Sequence, residues 1–182
     1  RGGGVMSVQS LDGVIFDAIV LGEMEPGQWL AGSNNFARTQ SFHGQRETEA
    51  VSRPVHLAIA YHEDGRIAGF RDGLPYGEAY ATDGPNHFPS GGAIVSFGVR
   101  HLPATGNRML EGQILEARLY DRALSAAEIA RTSRSMGQFV SDAEVIAAMT
   151  PDQRDRLQQL RNATDDLVLR LKSLEPVPEE IT

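Results

Sequence analysis

Carboxylates are the commonest reactive groups in this chain, 24 Asp and Glu among 182 residues. The first chemistry to weigh is therefore paired-acid chemistry. Glycoside hydrolysis needs two carboxyls about 5–9 Å apart, flanking a cleft. Glu23-x-Glu25 offers that kind of spacing, but Pro26 and Gly27 follow at once and turn the segment into a loop. No catalytic residue is assigned. The five His are scattered. His56 and His62 fall on one face of a strand, but roughly 20 Å apart by strand rise, too far to share an ion. His56 reads as a structural residue. Calcium is the ion that loop Asp, Asn and carbonyl oxygens would take, with Asp12, Asp17, Asp83 and Asn86 as weak candidates, although no calcium-loop spacing is present. No cofactor is required. Sugar binding would use an aromatic platform with amides and acids on a loop rim. The densest such groups lie in Ser33-Asn34-Asn35 and in 80–87, so Asn34, Asn35, Tyr80, Asp83, Asn86 and His87 are the candidate ligand-binding residues. Trp29, the single Trp, sits in an apolar run and reads as core.

The elements that would position these groups are short. From about residue 4 to 124 the chain is brief apolar runs broken by Gly, Asp, Asn and Pro, the texture of an antiparallel β-sandwich or barrel. Strands are expected at 5–11, 14–22, 28–33, 36–42, 54–62, 66–72, 74–80, 93–100 and 112–121. Asp64-Gly65 supplies the positive-φ turn of the clearest hairpin. In 112–121, side-chain alternation predicts Leu115, Ala117 and Leu119 facing the core, with Ile114, Glu116, Arg118 and Tyr120 on the opposite face.

After Leu124 the pattern becomes helical. Ser125-x-x-Glu128 and Ser141-x-x-Glu144 are capping boxes opening short helices, and Thr150-Pro151 opens a third helix running to about Ser173. That helix carries a heptad seam, Leu157, Leu160, Thr164, Leu167, Leu171 and Leu174, expected to be buried against a partner surface. A charged, Pro-rich linker closes the sequence. The expected organisation is a jelly roll over 1–135 and a helical appendage over 136–182.

Composition narrows the partners. Net charge is −7, against nucleic acid as the main partner. Cys is absent, which removes disulfides, thiol catalysis and zinc-thiolate sites. No run approaches the roughly 20 apolar residues of a membrane span.

Three segments in order resemble the laminin-G-like, concanavalin-A-like jelly rolls. They are His56, Ala58, Asp64, Gly65, Ile67, Asp72 and Gly73 in the hairpin, the 93–101 strand, and the closing run Gly112-Gln-Ile-Leu-Glu-Ala-Arg-Leu-Tyr-Asp-Arg-Ala-Leu-Ser-Ala-Ala-Glu-Ile129. Gly2-Gly-Gly-Val-Met, Phe16-Asp-Ala-Ile-Val, Trp29-Leu-Ala-Gly-Ser, Phe36-Ala-Arg-Thr-Gln and Gly106-Asn-Arg-Met are similar to a jelly-roll insert of planctomycete proteins with a cytochrome-c-type domain. In that insert another strand precedes the Gly-rich start, so the resemblance implies a fragment one edge strand short. It also implies an extracytoplasmic location. The hydrolases of this fold carry an acidic cluster on one strand, and Leu115 stands at the Asp position of the closing signature. The expected function is therefore a non-catalytic binding or interaction module of a larger protein, with a glycan or a neighbouring protein domain as partner and self-association through the helix. A glycosidase or lyase with an unusual site, and a structural spacer presenting an assembly helix, are the alternatives.

Overall fold

Alternating apolar residues give the strand Phe16–Leu21 one buried face, while the strand Trp29–Ser33 is buried along its whole length. The computed structural model describes residues 3–135 and 142–173, and the chain forms two compact units, Arg1–Gly137 and Gln138–Thr182.

In the first unit, eight strands form two antiparallel sheets. The first contains β1 (Gly3–Ser10), β2 (Phe16–Leu21), β3 (Trp29–Ser33) and β8 (Ala93–Phe97), ordered β3-β2-β1-β8. The second contains β4 (Leu57–Tyr61), β5 (Arg66–Arg71) and β6 (Leu74–Pro75), with β7 (Tyr80–Ala81) also pairing β5. This is the mainly β sandwich expected from the sequence.

The core between the sheets is built from Trp29, Ala31, Phe42, Ile67 and Tyr76, with Ile19, Leu21, Leu57, Ile59 and Tyr61 packed around them. Register explains the set. Ile19 pairs with Ala31 and Leu21 with Trp29, so all four project to one side. Gly69 belongs here because a Cβ at that position would come within 3.0 Å of the Phe42 ring. The outer face of the second sheet carries Ala60, Ala68 and Phe70, covered by Leu124 and by Ile129 of helix α1 (Ala126–Arg134). On the outer face of the first sheet, Gln9 is fully buried and satisfied: its amide donates to Ser7 and Ser96 and accepts from the Leu102 amide.

Two expected strands are not strands. Residues 36–42 fail because Asn34–Phe36 forms a 3₁₀ turn with Asn35 at φ 50° and Phe36 at φ 56°, outside the extended region. Residues 112–121 pair with no strand. The chain makes an isolated antiparallel bridge, Val99 to Met109, and then leaves the sheet. A strand needs a neighbour's unpaired backbone groups, and the described strands offer this segment no ladder. The expected core face is therefore not buried: Leu115 is 67% and Leu119 61% exposed, and Ile114 and Tyr120 on the opposite face are exposed as well. Glu116 and Arg118 pair with each other rather than across strands.

The second unit contains α2 (Asp142–Ala148) and α3 (Pro151–Ser173). Thr150 and Gln153 cap α3 reciprocally, each side chain meeting the other's amide. In the seam, Leu160, Leu167 and Leu171 are exposed on the single chain. Leu174 and the Pro-rich linker lie outside the described residues.

Candidate functional site

The sandwich has two ends, and each carries a polar cluster. At the end where β2 begins, Asp17 pairs with Ser33 across the ladder, and Tyr61, Ile67 and Tyr80 align across β4, β5 and β7. Arg38 enters between the sheets here. It forms an ion pair with Asp17, donates to the Gly84 carbonyl at 3.0 Å, and stacks over the Tyr61 ring at 5.5 Å. Both members of the ion pair are nearly buried, at 11% and 13% side-chain exposure. Burial pushes the Asp17 carboxyl up, against the pull of Arg38. Arg38 Nε is buried without a partner. The Asn86 amide donates to the second Asp17 oxygen at 3.2 Å, and the Tyr80 hydroxyl donates to the Arg38 carbonyl at 3.1 Å.

The sequence candidates divide around this cluster. Asp17, Tyr80 and Asn86 come together, but as the scaffold of the rim: Tyr80 packs on Phe42 at 5.2 Å, and Asp17 is committed to Arg38. Asn35, Asp83 and His87 are exposed and Asn34 is half-buried, and none of their side chains makes a hydrogen bond among the described residues. Asp12 stays apart, in a turn where it accepts from Ser10 and from the Val14 amide. Among the described residues no group of three or more His, Cys, Asp or Glu could hold a metal ion. His56 is half-buried against Thr132 at 3.4 Å, and burial pushes its pKa down.

Sequence reasoning missed two residues at this end. Arg38 lies in Phe36-Ala-Arg-Thr-Gln, a stretch that carries a resemblance but assigns the cation no role. Phe36 was read as the start of a strand, yet it is 50% exposed and held at positive φ beside Asn35. A bulky residue in that conformation is an outlier of the kind that gathers at ligand contacts. The adjacent Asn34-Asn35 pair, a sequence that tolerates the left-handed region, was the available signal.

At the opposite end, Glu47 accepts from the Trp29 indole at 2.9 Å and takes both arms of Arg71 at 2.8 and 3.0 Å. Trp29 is core, as expected, at 6% exposure. One Arg71 nitrogen lies 3.0 Å from Glu47 and 2.7 Å from Glu49, so the two carboxylates are separated by less than about 6 Å, inside the range used in retaining glycoside hydrolysis. Their electrostatics oppose that use. The Arg71 guanidinium, with Trp29 and two backbone amides, holds Glu47 at about 2, and Arg71 and Arg53 hold Glu49 below its usual range. Neither can be the protonated acid that the reaction needs near neutral pH. Sequence reasoning singled out Glu23-x-Glu25 and passed over both the Glu47-x-Glu49 spacing and its arginine clamp. Of the other acid pair, Glu23 is held by Arg100.

Residues 9–130 match the Laminin_G_3 family, described as the concanavalin A-like lectin/glucanases superfamily. The chain belongs to this family. No curated protein matches it. Among solved structures it is similar to an S-layer domain-containing protein from Clostridium thermocellum ATCC 27405, residues 221–444, at 20% identity and a TM-score of 0.41. That match covers 72% of this chain and 63% of the other. No described helix is long and apolar enough to cross a membrane.

Proposed function

We propose that this laminin-G-like domain is a non-catalytic binding module of a larger extracytoplasmic protein, and that it binds carbohydrate at the rim formed by residues 34–38 and 82–87. The observation that carries the reading is Phe36. Its half-exposed ring is fixed in a strained backbone beside two amides with no hydrogen-bond partner, on a loop bolted down by Arg38. An aromatic face flanked by amides suits the CH face and hydroxyls of a sugar. The arginine-clamped state of Glu47 and Glu49 supports the non-catalytic half of the reading. The family supports a binding role and an extracytoplasmic setting.

Affinity electrophoresis against a broad panel of neutral and acidic polysaccharides tests the proposal. Retardation of the wild-type chain by at least one polysaccharide, lost in Phe36→Ala, is expected. Retardation by none would leave a docking or spacer role.

A further inference from the structure

The segment that leaves the sheet at Met109 returns beside α1, and between the two lies a shallow, solvent-open depression of about 310 Å³. It shares no residue with the Phe36 rim. Tyr120, Arg122 and Leu124 form one wall; Glu128, Arg131, Thr132 and Ser135 of the helix and its cap form the other. The helical residues recur at intervals of three and four, so they lie on one face. We propose that this cleft binds a uronic acid, as a monosaccharide or as one residue of an acidic glycan.

The charge pattern selects a carboxylate. Both Glu128 oxygens are already engaged: Arg122 donates to them at 2.7 and 3.1 Å, and the Ser125 amide and hydroxyl donate to Oε2 at 2.8 Å each. Glu128 therefore has little capacity left to neutralise Arg131, three residues on. Arg131 makes no ion pair among the described residues, so the cleft keeps one uncompensated guanidinium, whose planar fork matches a carboxylate.

The remaining groups select a sugar bearing that carboxylate over a bare anion. The Tyr120 ring, 44% exposed, offers a face for the CH surface of a pyranose. The Thr132 hydroxyl donates to the Ile129 carbonyl at 2.8 Å, and the Ser135 hydroxyl donates to the Thr132 carbonyl at 3.0 Å. With their protons spent, the hydroxyls act as acceptors: Ser135 Oγ already accepts from Arg118 at 3.1 Å and Thr132 Oγ1 lies 3.4 Å from His56 Nε2, which leaves each oxygen one further lone pair for a sugar hydroxyl. The cleft volume lies at the lower end of small-molecule sites, roughly 300–1,000 Å³, which suits one or two sugar rings.

Isothermal titration of the full chain with glucuronate and galacturonate tests this, with glucose and galactose as neutral counterparts and acetate and inorganic sulfate as charge-only probes. Saturable binding of a uronate is expected, at least tenfold tighter than its neutral counterpart and than acetate or sulfate. Arg131→Gln should weaken it tenfold or more, with part of the loss restored in Arg131→Lys. Tyr120→Ala should weaken it independently, and far-ultraviolet circular dichroism should show both variants folded. Absence of uronate binding, equal binding of acetate or sulfate, or an unaffected Arg131→Gln variant would each overturn the assignment.

Discussion

Arg38 holds three parts of the rim at once: β2 through Asp17, the 82–87 loop through the Gly84 carbonyl, and β4 through the Tyr61 ring. Removing it would strand Asp17 among apolar groups. Loss of one partner from a buried pair costs about 3–5 kcal/mol, so Arg38→Met should lower unfolding stability by that order in urea denaturation. The rim geometry would go with it, and a variant that melts like the wild type would show that the pair holds nothing. Glu47 makes a different prediction. Its folded pKa of about 2 lies below the ordinary 4.5, so its contribution to stability is present above pH 4.5 and is lost as pH falls toward 2. Thermal unfolding across that window should be flatter in Glu47→Gln. Neither role was legible in sequence, because each depends on which cation lies across the sandwich.

Elements whose signals are local were read well. The β4–β5 hairpin follows from Asp64-Gly65: the Asp64 carboxylate accepts from the Arg66 amide at 3.0 Å, and Gly65 sits at φ 86°. Helix α1 follows from its capping box, with Ser125 and Glu128 bonded both ways. Ser125→Ala should cost about 1 kcal/mol, and Ile129→Ala, at a site 2% exposed, about 2–5 kcal/mol, both measurable by urea unfolding. Elements defined by a partner were read poorly. Residues 112–121 have a strand's alternation but no ladder, since alternation specifies faces and not the neighbour. Leu167 in the α3 seam is 60% exposed, so Leu167→Asp should leave the melting temperature within about the ±0.5 kcal/mol range of surface changes. Any effect should appear instead in sedimentation, as loss of self-association through α3.

At the scale of the whole molecule, a sandwich of two four-stranded sheets offers a polar cluster at each end, and the two differ in kind. The Glu47–Arg71 end is locked in opposed charges. The Phe36 end combines a rigid base with two unbonded amides, Asn35 exposed and Asn34 half-buried, and a half-exposed ring. Fold class could be read from strand texture and the closing signature. The site could be read in part, since Asn34 and Asn35 mark the loop that presents Phe36, while the ring itself was hidden in an apparent strand. The central claim is that this ring contacts the ligand. Affinity electrophoresis of wild type and Phe36→Ala on the same polysaccharide series, with melting temperatures measured in parallel, tests it most directly. The account predicts that at least one polysaccharide retards the wild type, and that Phe36→Ala loses tenfold or more of that affinity at an unchanged melting temperature. Equal retardation of the two proteins, or no retardation of the wild type by any polysaccharide, would contradict it.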